Sequence, residues 1–212
     1  MPDRIADVDI PDSALAKEAT ELVRDTAGPL LYDHSRRVYL FGALQGRRRG
    51  LDFDPELLYV GAMFHDLGLT AGYRASQQRF ELDGAEAARD FVLRHGLSAD
   101  RARIVWTAIA LHTTPEIPTR MEPEVALVTA GVELDVLGLG LDDIPAPARA
   151  AVVAAHPRPD FARRILRAFT EGIEHRPQTT FGNVKADVLD RFVPGFERTN
   201  FVDVIEQSGW SE

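Results

Sequence analysis

Five polar side chains of this 212-residue chain stand where apolar ones belong. His34 follows Leu31 and Leu30 by three and four residues and precedes Val38 by four, which puts it on the inward stripe of a helix. Asp135 follows Val128 by seven and Val132 by three. His112 follows Ile104 and Ala108 at intervals of four. His65 follows Leu58 and Gly61 at the end of an apolar helix, and Asp66 is adjacent, about a hundred degrees round the axis. Near a helix terminus, two such neighbours still straddle one inward point. Burying an unpartnered carboxylate costs several kcal/mol, so each acid must be paired or hold a metal ion. The stripes around Asp66 and Asp135 contain no arginine, although Arg36 and Arg37 lie close after His34 and either could reach inward. A cation held by neutral imidazole and carboxylate satisfies all these groups together, and such ligands suit Zn²⁺, Fe²⁺ or Mn²⁺. Without cysteine, a thiol nucleophile and a thiolate metal site are excluded.

The elements that must carry these residues read as helices almost throughout. Asp12 or Ser13 caps a helix whose inner stripe is Leu15, Ala19, Leu22 and Val23. A second stripe, Leu30, Leu31, Val38 and Phe41, ends in the Gly- and Arg-rich turn 46–50. Asp54-Pro55 starts the next helix, which stops near Gly68. Residues 69–82 have no clean period and read as a loop, followed by a helix from Gly84 to Arg94 that Gly96 closes. Ser98 caps a helix leading to His112, and Pro123 opens one with Val125, Val128, Val132 and Val136 inward. Residues 138–147 read as turn, and two more helices fall at about 160–174 and 184–192. No convincing period-two alternation is present, so strands should be few. The expected fold class is all-α: a single-domain helical bundle of about eight helices, with its core at about 13–192 and a C-terminal tail at 193–212.

Composition narrows the function classes. A net charge of −9, with 45% hydrophobic and 27% charged residues, fits a globular chain and disfavours a large nucleic-acid interface. The one basic run, Arg47-Arg48-Arg49, reads as solvated loop. No apolar run is long enough for a membrane span, and the first residues lack a basic-then-apolar leader, so a cytoplasmic protein with no membrane partner is expected. A homo-oligomer is compatible with this size, though no apolar surface stripe specifies one.

The string GAMFHDLGLT, with His65-Asp66 after an apolar helix, resembles the signature of the HD-domain superfamily of all-helical metal-dependent hydrolases. That family's order is a His, a His-Asp doublet and a distant Asp; His34 in DHSRRVYLFG, His65-Asp66, and Asp135 in GVELDVLG match it. Within the superfamily, HSRRVYLFG, FHDLGLT, RFELDGAEAA, ALHTTPE and TTFGNV are similar to the cyanamide hydratase-like branch. The resemblance implies a metal site of His34, His65, Asp66 and Asp135. Dinuclear members carry a further histidine four residues before a Gly-Ala pair. Phe80 stands there, four before Gly84, which implies one divalent transition metal ion, Zn first, with Fe or Mn as alternatives. It also disfavours the oxygenase chemistry of dinuclear relatives. His112 matches a ligand of the dinuclear members and is here expected to face substrate or move a proton. Glu81 gains a catalytic role from its family position alone.

The implied chemistry is hydrolysis or hydration of a small neutral substrate of nitrile or cyanamide type. A cation would lower the pKa of water toward neutrality. Asp66 would take the water proton on its free oxygen, and His112 or Glu81 would protonate the developing anion. Arg37, Thr113 and Asn183 are the substrate-binding candidates, Asn183 also reading as a turn or cap, and Arg37 as an orienter of an acid ligand or a solvated side chain. His95 at a helix end reads as structural, and His156 and His175 as surface. The competing reading is phosphohydrolysis of a nucleotide or other phosphate ester, for which Arg36, Arg37 and Arg74 are the available cations. A vestigial, non-enzymatic binding role is opposed by the intact set of ligands.

Overall fold

The computed structural model describes residues 3–207, and nine α-helices account for most of them. A two-residue hairpin comes first, β1 (Arg4–Ile5) pairing antiparallel with β2 (Val8–Asp9). Helix α1 (Ala14–Arg48) begins at Ser13, whose side chain accepts the amide of Ala16, and breaks at Gly28, where φ is 67° ahead of Pro29. The break separates the two expected apolar stripes. The second half then continues past Gly46, which packs against Phe53 and Leu127, so the expected turn at 46–50 is helical to Arg48. Arg47, Arg48 and Arg49 are exposed, as a solvated run should be.

Helix α2 (Pro55–Phe64) starts at Asp54, which accepts from the amides of Glu56 and Leu57, and is buried from Leu57 to Phe64. After two short 3-10 turns, α3 (Phe80–Arg94) begins four residues before the expected Gly84. The reason is that Glu81 and Asp83 lie buried beside Phe80, so the inward face does not look apolar. Helices α4 (Ala99–Leu111) and α5 (Pro123–Val132) start at Ser98 and Pro123 as expected. Beyond α5 the chain widens into a π-turn at Glu133–Leu137, which ends at Gly138 with φ 72°. Helix α6 (Ala146–Ala155) is an addition to the expected set; it is alanine-rich and buries only Val152, so it offers no stripe to read. Helices α7 (Phe161–Ile173) and α8 (Lys185–Phe192) match expectation closely, and α9 (Phe201–Glu206) lies in the tail.

The bundle is built around the second half of α1, which packs against α2 and α5, while α4 covers α2, α3 and α5. One core cluster runs through these five helices. A second, of Leu31, Leu69, Phe80, Phe161, Ile165, Ile173 and Leu189, brings α7 and α8 onto the same end. The α1–α5 contact is close: a Cβ on Gly131 would lie 2.2 Å from the carbonyl oxygen of Val38. Gly131→Ala should therefore force α5 away from α1 and cost about 1–3 kcal/mol of stability, measured by urea denaturation. No described helix is long and apolar enough to cross a membrane.

Candidate metal centre

Four helix ends or faces meet at one buried point. His34 comes from the second half of α1, His65 and Asp66 from the end of α2, His112 from the end of α4, and Asp135 from the π-turn after α5. All five residues are at most 3% exposed. Ligand atoms of His34, His65 and Asp66 lie within 4.8 Å of one another. Asp66 Oδ2 is 3.2 Å from His65 Nε2 and 3.6 Å from His34 Nε2, and its Oδ1 is 3.7 Å from His112 Nε2. The three imidazoles pack edge to face, His65 lying 4.9 Å from each of the other two rings.

Each imidazole is turned by a hydrogen bond at its other nitrogen. His65 Nδ1 donates to the Ala62 carbonyl at 2.7 Å and His112 Nδ1 to the Ile109 carbonyl at 2.6 Å. His34 Nδ1 donates to Asp135 Oδ2 at 2.7 Å. With the proton on Nδ1, each neutral ring presents an Nε2 lone pair to the centre, the tautomer a metal ligand needs. His65 Nε2, His112 Nε2 and both oxygens of Asp66 have no hydrogen-bond partner despite complete burial. Lone pairs crowding together without a donor are costly, and a divalent cation of the kind that takes N and O ligands satisfies them. The residues present fit a metal ion.

Charge at the centre follows from these contacts. Burial opposes ionisation of Asp66, but His65, His34 and His112 outweigh it and hold the carboxyl well below its ordinary value. Burial also lowers His34. Burial acts the same way on His65, but there the Asp66 carboxylate prevails and raises it. His112 is brought down to about 4, by burial first and by His65 second.

Asp135 departs from the expected arrangement. Instead of joining the other three, it accepts from His34 and from Arg37, whose Nε and Nη2 donate to its two oxygens at 2.8 and 2.9 Å. Both oxygens are thus in use, and Asp135 orients His34. Arg37, expected to contact substrate, to orient an acid ligand or to be solvated, is fully buried on Asp135; its Nη1 donates to the carbonyls of His156 and Pro157, and its guanidinium lies over Phe161. An inward arginine does exist, three residues after His34 on the same helix face. His156, expected at the surface, is buried too: Arg36 donates to its Nε2 at 3.3 Å, and its Nδ1 donates to Asp33 at 3.1 Å. His175 is half-buried, and His95 bonds the Phe91 carbonyl and Glu18 at its helix end, as a structural histidine should.

Beside His112 lies a second buried polar cluster that sequence reasoning reached only in part. Glu81 Oε1 accepts from Thr113 Oγ1, from Arg79 and from Lys185 Nζ, while Oε2 is buried without a partner. Burial opposes ionisation of Glu81, yet Lys185 outweighs it and takes the carboxyl down to about 2. The one ring proton of neutral His112 is held by the Ile109 carbonyl and Glu81 accepts from three donors, so the hydrogen bonds favour acceptor roles for both over the expected donor role. Nearby, Arg176 is fully buried and binds Asp83 and the carbonyls of Gly68, Gly172 and Gln78. Lys185 and Arg176 sit on segments remote in sequence from their acids, and no local pattern marks them.

An open cleft of about 1060 Å³ borders this cluster, with Arg79, Thr113, Thr180, Asn183 and Phe201 among its walls. Thr113 and Asn183 therefore do face a cavity, and Arg37 does not. Asn183 also caps α8: its Oδ1 accepts the Lys185 amide and its Nδ2 donates to the Thr179 carbonyl. Among protein families, the HD domain matches residues 31–155, the span from the start of the His34 stripe to the end of α6. No curated protein matches the chain.

Proposed function

Because the chain belongs to the HD-domain family, we propose that it is a metal-dependent hydratase or hydrolase of the cyanamide hydratase-like branch, adding water to a small uncharged nitrile-type substrate. His34, His65 and Asp66 hold one divalent transition metal ion, zinc in the first place, with Asp135 and Arg37 fixing the orientation of His34. One ion rather than two is supported by Phe80, a buried phenyl ring packed 5.6 Å from His112. A divalent ion bound there supplies the Lewis acidity that makes water nucleophilic near neutral pH. Asp66 accepts the water's proton at Oδ1, which takes part in no other hydrogen bond. His112, protonated on Nδ1, holds its Nε2 lone pair toward that oxygen and serves as the next proton acceptor.

The single observation that favours a neutral substrate is that each cation near the cleft is already engaged by a carboxylate, Arg79 and Lys185 sharing one. Arg79 and Lys185 pair with Glu81, Arg176 with Asp83, and Arg198 with Asp187. A phosphate ester needs charge that is still available. Arg36 is engaged with Tyr59 and His156, and Arg74 is exposed and does not line the cleft. The test joins metal analysis of the purified protein to assays of urea formation from cyanamide and of phosphate release from nucleoside monophosphates with added Mn²⁺ or Co²⁺. The expected result is about one equivalent of transition metal per chain and urea formation, both lost in His65→Ala. Phosphate release without urea would reverse the reading.

A further inference from the structure

Protonation of the developing anion needs a donor that the metal group does not contain. His112 has committed its Nδ1 proton to a backbone carbonyl, and Glu81 accepts three donors on one oxygen, so both act as acceptors. Lys185 differs from every other cation here. Its Nζ is buried on α8, and of its three N–H groups only one has a protein acceptor, Glu81. The ammonium lies over the Phe80 ring, 5.3 Å from the centroid, and that same ring packs against His112. Thr113, which lines the cleft, shares the Glu81 oxygen with it.

The choice of residue carries its own argument. Of the 24 basic side chains only Lys17 and Lys185 are lysines, and Lys17 is exposed. Arginine pairs at least as well with carboxylate but does not release its proton, whereas a buried lysine does so readily. If charge pairing with Glu81 were the whole purpose, arginine would serve, as it does for Asp83 and Asp135.

We propose that Lys185 is the general acid of the metal-site reaction, its buried ammonium held by Glu81, whose same oxygen accepts from the cleft-lining Thr113. The proposal rests on the hydrolytic reading of the site and not on the nitrile. For a nitrile, the water oxygen bonds to carbon as one C–N π bond breaks. The water's proton goes to Asp66, and a proton from Nζ goes to the substrate nitrogen. Lys185 regains its proton from solvent, Asp66 releases its own to solvent, and the imidic acid tautomerises to the amide. For a phosphate ester, the same Nζ proton goes to the leaving oxygen. Burial lowers Lys185 to about 8 against the opposing pull of Glu81, with Arg79 and Arg176 acting in the same direction as burial. Ionised at pH 7, it is still able to part with its proton.

Two measurements test this. In protein labelled with ¹³C at lysine Cε, the two side-chain signals should titrate apart, Lys17 near the ordinary value and Lys185 about 2 pH units lower. In Lys185→Arg, metal content and melting temperature should stay at wild-type values while kcat falls on the order of 100-fold, KM changes little, and the loss of kcat above about pH 8 disappears. Lys185→Met should lose stability as well, by baring Glu81. A Lys185 signal titrating with Lys17, or a Lys185→Arg protein with wild-type kcat and an unchanged alkaline limb, would overturn the proposal. If cyanamide is not hydrated but a phosphate ester is cleaved, the same variant series is run on that ester. The nitrile reading then fails, and the fate of Lys185 is decided separately. The lysine titration is independent of substrate and overturns the proposal whichever substrate is found.

Discussion

Asp66→Asn is expected to leave a folded protein with less than about one tenth of an equivalent of metal and at least ~1000-fold less activity. The asparagine has the same size, so the cavity shape is kept. Its amide can donate to the nearby imidazole nitrogens, 3.2 and 3.6 Å from the present Oδ2, and can relieve the unpartnered lone pairs that a cation would otherwise satisfy. The substitution thus removes the reason for a cation to bind while making the empty core easier to fold. Metal analysis and a melting curve on the same sample separate the two effects. If the Asp66→Asn protein kept its metal, the imidazoles would suffice as ligands, with His112 recruited among them, and the carboxylate would serve another purpose.

Arg37→Met should be the most destabilising single change near the site, by about 3–5 kcal/mol in urea denaturation, because it leaves a buried carboxylate without its bidentate partner. Marginal stability of about 5–15 kcal/mol makes that a large fraction of the whole. Burial opposes ionisation of Asp135, but His34 and Arg37 together hold it well below the ordinary carboxylate value. A carboxyl depressed in the folded state contributes stability above its unfolded pKa of about 4 and loses that contribution as pH falls toward the folded value. The wild-type protein should therefore weaken only in strong acid, and Arg37→Met should weaken from a higher pH. Exchanging Asp135 for leucine in the Arg37→Met background should restore part of the loss. If the single change cost less than about 1 kcal/mol, the pair would carry no structural weight.

How far the site could be read from sequence depended on whether a residue announces itself locally. His34 and His112 stood out because apolar neighbours three and four positions away defined their face. The helix carrying Arg37 was legible, but an arginine on an apolar stripe ordinarily extends its charge to solvent, and its partner Asp135 lies ninety-eight residues away. The same holds for Glu81 with Lys185 and Asp83 with Arg176, where buried acids also hid the start of α3. Periodicity reports which side of a helix faces inward. It is silent on which distant charge meets it there. Helix α6 was missed for a different reason, since alanines on both faces leave no contrast to read.

The π-turn at Glu133–Leu137 has a further implication for how the chain can vary. Such a turn holds one residue more than regular helical winding would. A chain shortened by one residue there would regain ordinary pitch and swing the carboxylate of Asp135 about a hundred degrees around the axis, away from His34 and Arg37. Loop lengths elsewhere in the protein can drift, but in this stretch the tally of residues is itself part of the chemistry.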